Sequence, residues 1–417
     1  MAALDVVAHR DLAGVVGLDD AWADLHAESG STNPFAGPAW SSAWWAHLRS
    51  AADTPLLLEV RAADRLVGVA SFRRQRLPGG IVRLAPVGSG PPWLGFVEGP
   101  TMLTAPDHAR DVGRAVVTHL CAAERRWDWA ELALDDRTGW LEPEWLPDPG
   151  FASQLRKVTA SVVLDLRPAE AALLTGRRNL KESLRRARNR LDRDFGADGW
   201  SVRVARRGAE LRAAIGRLAD LHGRRSRSAV GTRRHADLLA GTRERAYLLD
   251  VVRRLAARDQ VAVYELVAGG EVLAGQLVLQ TATAAYCSLS GLDERAWEYS
   301  AVTQLQWCAA LAAKASGRTS FDLSINPNQA KRRWSDQLAY HPEFAVVAPG
   351  RRARAAYVAA AMALTGASFL RTGRMSLTGR RPPPPSRTGR AGSRPPPART
   401  PEPRGPGAGG GRATIRP

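Results

Sequence analysis

The chain has 417 residues, 45% of them apolar, with 59 Lys and Arg against 41 Asp and Glu and only three cysteines. These numbers exclude a disulfide scaffold and a wholly disordered chain, and they leave room for two or three domains with cores of their own. The net charge of +18 is unevenly spread, because residues 371–417 hold 11 Arg and a single acid, Glu402, so the first 370 residues carry only +8. Such a body favours anionic partners such as phosphates without singling out nucleic acid, and no DNA partner is expected.

Residues 1–12 scatter Asp5, His9, Arg10 and Asp11 among a few apolar positions. That is unlike an export signal, so a cytoplasmic protein with reduced Cys121, Cys287 and Cys308 is expected. Helical patterns follow at 20–29 and 39–50, where Trp40, Trp44, Trp45 and Leu48 share one stripe that reads as core. Residues 58–68 (LEVRAADRLVG) then form a hairpin pattern: alternating strand, short polar turn, second strand. Val87-Gly88-Ser89-Gly90-Pro91-Pro92 is Gly-rich, but its prolines make it a loop rather than a phosphate cradle. A helix over 105–126 leads to a strand over 129–134.

The same order recurs after a linking stretch at 155–166. Helices are predicted over 210–227 and 236–258, a second hairpin over 264–274 (YELVAGGEVLA), a helix over 299–316 and a strand over 319–324. The two hairpins align without a gap at an offset of 206 residues. The expectation is therefore an α/β fold with mixed sheets, in two tandem similar domains at 1–160 and 161–350. A helix at 351–371 and a Pro/Gly/Arg-rich disordered tail at 372–417 complete the plan. Residues 355–370 are apolar between arginines, but as a helix they span about 24 Å, short of a bilayer core of roughly 30 Å. Packing on the body is the leading reading there, with peripheral membrane contact as the alternative.

Between the halves, residues 177–193 carry eight basic residues. Leu180, Leu184, Ala187 and Leu191 fall on one helical stripe, and Arg178, Lys181, Arg185 and Arg188 on another. Two readings stay open: a solvated basic face, or a site at which Arg178, Asn179 and Arg185 hold a phosphate or diphosphate of the substrate. The chain has no Walker A loop, paired Cys-x-x-Cys, His-Glu-x-x-His or Gly-x-Ser-x-Gly, and its eight His show no metal spacing, so no metal is expected.

The stretch Tyr286-Cys287-Ser288-Leu289-Ser290-Gly291-Leu292-Asp293, the helix from Tyr299, then Phe321-Asp322-Leu323 and Lys331-Arg332-Arg333-Trp334 occur in an order that resembles the double-domain branch of the GNAT acyltransferase superfamily. That branch is named after an acetyltransferase linked to cellulose biosynthesis and is related to the Fem-type peptidoglycan aminoacyltransferases. The resemblance covers roughly residues 33–347, including Asn33-Pro34-Phe35 to Trp44-Trp45, and is strongest over 259–334. It implies two GNAT folds and acyl transfer from acetyl-CoA or another acyl-CoA to an amine, on an amino sugar or an envelope or exopolysaccharide precursor. Two positions depart from the family pattern: the turn at 295–301 contains no Gly, and Asn328 and Ala330 stand where the family has an acidic residue and a Tyr.

Lys331, one of four lysines, matches the family Lys and is expected on an exposed helical position, holding a carbonyl oxygen or phosphate. Asp322 is a candidate to orient the amine or act as general base, or else a cap for the turn that follows it. His222 has a pKa suited to taking a proton from an ammonium, against a helix-surface His with no role. Tyr286 lines an acceptor groove or fills the sheet face, and Trp334 touches substrate or packs its helix down. The nearest alternative enzyme takes an aminoacyl group from tRNA, with the basic helix and tail as RNA-binding surface. A non-catalytic GNAT pair binding a nucleotide sugar or a membrane surface is the third reading.

Overall fold

A computed structural model describes residues 4–90, 97–124, 126–228 and 236–363. In chain order the elements are β1 (Leu4–His9), α1 (Leu12–Gly17), α2 (Asp19–Glu28), α3 (Pro38–His47), β2 (Asp53–Ala62), β3 (Arg65–Leu77), β4 (Ile81–Pro86), β5 (Leu103–Thr104), α4 (Ala109–Ala122), β6 (Trp129–Ala133) and β7 (Ala152–Asp165). They continue with α5 (Arg178–Phe195), β8 (Trp200–Ala205), α6 (Gly208–Arg227), α7 (Thr242–Ala256), β9 (Val261–Ala268), β10 (Glu271–Gln280), β11 (Ala284–Leu292), α8 (Ala301–Ala315), β12 (Ser320–Ile325), α9 (Gln329–Arg332) and β13 (Leu338–Val347). Of the helix expected at 351–371, residues 351–363 are helical; the rest, the tail at 372–417 and Pro91 and Pro92 of the Gly-rich loop lie outside the described residues.

The strands form one mixed sheet in the order β1-β2-β3-β4-β6-β13-β7-β12-β11-β10-β9-β8, with β5 on β3. The two hairpin patterns are β2–β3 and β9–β10. Each turn adopts positive φ, through Ala63 in the first and Gly269-Gly270 in the second. After each hairpin a strand, a helix and a parallel strand follow: β4, α4, β6 in the first half and β11, α8, β12 in the second. The last strand, β13, is antiparallel to both β6 and β7 and joins the halves into one sheet.

One core runs beneath α2, α3, α4, α6 and α7, and a second lies between the sheet and α5 and α8. Trp40, Trp44 and Trp45 are buried on α3, where Trp40 meets Tyr247 of α7 with ring centroids 6.1 Å apart. Beneath the joint, Glu131 of β6 accepts from Arg83 of β4 at 2.6 Å and faces Arg156 of β7 at 3.5 Å across β13, while Arg156 also reaches Glu343 of β13 at 2.8 Å. Among the described residues no helix is long and apolar enough to cross a membrane, and no His, Cys, Asp and Glu cluster is suited to a metal.

Candidate active site

β11 and β12 run parallel only from Ala284/Ser320 to Tyr286/Asp322, and then they part. Beyond the fork β11 stays with β10, while β12 turns towards β7 and slips register between Asp322 and Ile325. The slip is made by two non-glycine residues with left-handed backbone, Ser324 at φ 75° and Asn326 at φ 63°. Each such residue costs about 1–2 kcal/mol, so the segment has to be held from outside. Three side chains hold it through four hydrogen bonds. Asp322 Oδ1 accepts from Ser324 N at 2.7 Å, Glu98 accepts from Ser324 Oγ and from Ile325 N, and Lys331 Nζ donates to Ile325 O.

The fork opens into a cavity of about 220 Å³, lined by Asp322, Tyr286 and His341 from the strands and by Asn33, Phe35 and Glu98 from loops of the first half. Asn33 sets the loops: its amide donates to Gly99 O at 2.7 Å, and its carbonyl oxygen accepts from Phe35 N at 2.8 Å. Phe35 then stands edge-on to Tyr286, with ring centroids 5.2 Å apart. Tyr286 is buried, and its hydroxyl donates to Glu98 Oε2 at 2.5 Å. Burial, followed by the charges of Glu98 and Asp322, raises the phenol well above its ordinary value and keeps the proton on it.

Asp322 is changed by the same surroundings. Its Oδ2 accepts from Ser161 Oγ at 2.6 Å, and burial lifts its pKa from 3.8 to about 6 against the pull of that bond, the Ser324 amide and His341. Ser161 Oγ also lies 3.3 Å from His341 Nε2, and His341 Nδ1 lies 3.7 Å from Asp136 Oδ1. Burial would lower the His341 pKa, but the Asp136 bond and the charges of Asp136 and Asp322 outweigh it, and the net shift is upward. A carboxylate lifted to about 6 in such a cavity is suited to taking a proton from an amine near neutral pH.

The structure thus brings Asp322, Tyr286 and Lys331 together and leaves the other expected residues elsewhere. Lys331 is not exposed: it is half-buried, tied to Ile325 O, and lowered in pKa by burial despite the nearby charges of Glu98 and Asp322. Asn328, at one of the departing positions, caps α9 by accepting from Lys331 N at 3.0 Å. His222 is not on a helix surface. It is buried under β11, with Nδ1 3.0 Å from Ser290 O and Nε2 accepting from Leu238 N at 3.3 Å, so both ring nitrogens are occupied by backbone. Trp334 is fully buried in the second core beside Trp307.

Arg178, Asn179 and Arg185 line a different hollow, of about 750 Å³, with Lys181, Glu182 and Arg186 on the exposed side of α5. Glu182 pairs with Arg185 and Arg186 one helical turn on, which holds its pKa down at about 2. Arg178 and Lys181 have no ion pair among the described residues. Sequence reading missed Glu98, Ser161, His341 and Asp136. Nothing local marks them, because each acquires its role from a partner far along the chain.

Residues 178–332 match the family model described as Acetyltransferase (GNAT) domain. This stretch runs from α5 to α9 and includes Asp322, Tyr286 and Lys331. Among solved structures the chain is similar to FemX, at 11% identity over 78% of this chain and 95% of that one, with a TM-score of 0.51. It is also similar to the C-terminal domain (DUF2156) of a putative lysylphosphatidylglycerol synthetase from Agrobacterium fabrum, at 15% identity over 85% and 97% of the two chains, with a TM-score of 0.50. At such identities the likeness is one of fold. No curated protein matches the chain.

Proposed function

We propose that this protein is an N-acyltransferase that moves an acyl group from a thioester donor, an acyl-CoA, to a primary amine in the cavity at the β11–β12 fork. The observation that carries this reading is Asp322, a carboxylate lifted to about 6 at the fork of the sheet and lining a cavity of about 220 Å³. An amine arrives as an ammonium, and a lining that contains Asp322 and Glu98 favours it. Asp322 takes one proton, and the free amine forms the new C–N bond as the C–S bond of the donor breaks; the second amine proton passes to the departing sulfur, giving the amide and the free thiol. Tyr286, kept protonated, donates its hydroxyl hydrogen bond to Glu98 and lines the cavity beside Asp322. The donor supplies the activated carbonyl.

The residues present fit an acyl-CoA. α8 starts at Ser300, held at φ 45°, and no side chain caps it, so the first-turn N–H groups are available to a diphosphate. Arg295, by contrast, is engaged by Asp293 and Glu271. The proposal extends to an amino-sugar or envelope-precursor acceptor on the strength of the sequence resemblance alone.

Calorimetry of the full chain with acetyl-CoA, longer acyl-CoAs and CoA, followed by an amine screen, tests the reading. Saturable binding of an acyl-CoA and turnover abolished in Asp322→Asn are expected; no binding of any CoA species overturns the thioester donor. The exposed cations Arg178 and Lys181 favour a second reading, in which the donor is aminoacyl-tRNA. That reading requires tRNA binding that weakens steeply with salt and with Arg178→Ala.

A further inference from the structure

Ser161 lies on β7 with no exposed surface, between two titratable groups. Its Oγ is 2.6 Å from Asp322 Oδ2 and 3.3 Å from His341 Nε2, and the far side of the His341 ring is 3.7 Å from half-exposed Asp136. A hydroxyl has one proton to donate. When Asp322 is ionised and His341 is neutral with its Nδ1–H towards Asp136, both flanking atoms are acceptors, and one of them goes without a donor. A single added proton removes the conflict in either of two ways. Asp322 as the acid donates to Ser161, which donates to Nε2; or the imidazolium donates to Ser161, which donates to the carboxylate. The two forms interconvert by shifting two protons along the same two hydrogen bonds.

The other ionisable groups around the fork do not compete for Ser161. Glu98 is occupied by Tyr286, Ser324 and Ile325 N, and Lys331 is occupied by Ile325 O. His341 also lines the cavity and keeps about a fifth of its side chain exposed, so the chain of groups begins at the presumed reaction centre and ends in solvent.

We propose that Asp322, Ser161, His341 and Asp136 form a proton relay that carries the proton of the acceptor amine out of the cavity. The proposal rests on the acyl-transfer reading above. As the ammonium N–H bond breaks, an O–H bond forms on Asp322. That proton passes to Ser161 Oγ while the serine's own proton passes to His341 Nε2, and the imidazolium releases a proton to water at its edge beside Asp136. One proton enters and one leaves, and no co-reactant is consumed. His341 and Asp136 act through Asp322 and are positioning residues.

The test uses the full chain with a turned-over acyl-CoA and amine pair. Ser161→Ala and His341→Gln are expected to lower kcat on the order of 10- to 100-fold with little change in KM for the amine. Added imidazole should restore His341→Gln in proportion to its concentration, which a purely structural defect does not predict, and should leave Asp322→Asn inactive. Unchanged kcat in Ser161→Ala and His341→Gln overturns the relay and leaves acyl transfer standing. A wild-type chain that turns over no donor–amine pair overturns both. Should the variants fail to fold, nitrogen-15 NMR of the wild-type histidines decides. A neutral His341 with its proton on Nδ1 is expected, and a proton on Nε2 overturns the relay because that nitrogen then cannot accept the proton of Ser161.

Discussion

Asp322 combines two effects that usually oppose each other, and each has its own measurement. Its pKa in the folded chain is near 6, above the value of about 3.9 in an unfolded one, so folding takes up a proton between those pH values. The sign follows: the contribution of Asp322 to stability is fully present below about pH 4 and is lost as pH rises through about 6, by at most about 3 kcal/mol. Asp322→Asn should remove that fall, leaving the variant more stable than wild type at pH 8 in urea titrations, while acyl transfer drops by about 10²-fold or more. Wild-type turnover should itself rise through pH 6 as the carboxylate ionises. Lys331→Ala should reduce both activity and stability, because the ammonium ties down the left-handed turn after Asp322. A thermal midpoint unchanged in Lys331→Ala counts against that bracing role. Asp322, Tyr286 and Lys331 were legible because they lie in one stretch of ordered motifs. Ser161 and Glu98 were not, since they meet Asp322 and Tyr286 across 161 and 188 residues of sequence. The burial of Lys331 was hidden for a related reason: a short basic helix reads as solvated until the loop of Glu98 is placed beside it.

Elements were easier to read than their contacts. Both hairpins and their flanking helices follow from period and turn chemistry, which are local. How closely β11 approaches α6 is not local. A Cβ added at Gly291 would lie 2.5 Å from His222 N and 2.7 Å from Leu221 C, both of them backbone atoms that cannot step aside. Gly68 of β3 meets Val112 of α4 just as closely, so each half uses a glycine to seat a helix on its sheet. Gly291→Ala should cost about 2–3 kcal/mol in chemical denaturation and spread the fork that β11 forms with β12. A change below about 0.5 kcal/mol shows that α6 can move away. His222, seated at that contact, owes its burial to the same packing, which explains why neither of its ring nitrogens is free.

At the scale of the whole molecule, the halves are held together by a strand that belongs to neither sequence pattern. β13 follows β12 as β7 follows β6, but the partners of β13 lie about 200 residues away, so neither spacing nor propensity announces the pairing. Around it, half-buried Arg83, Arg156 and Glu343 form an ion network with buried Glu131 that spans four strands. Glu131→Ala leaves Arg83 without its carboxylate there and should destabilise the chain by about 3 kcal/mol, seen as a fall in the denaturation midpoint. The position of β13 also dictates an order of events on the ribosome. The first half can make its hairpin and its helices as it emerges, yet the edge of β6 has no permanent neighbour until residue 347 has left the exit tunnel. For roughly 200 residues of synthesis that edge is an open template for other strands, so the growing chain should depend on holding chaperones over this interval. Translation speed across the second half thereby sets how long the exposure lasts.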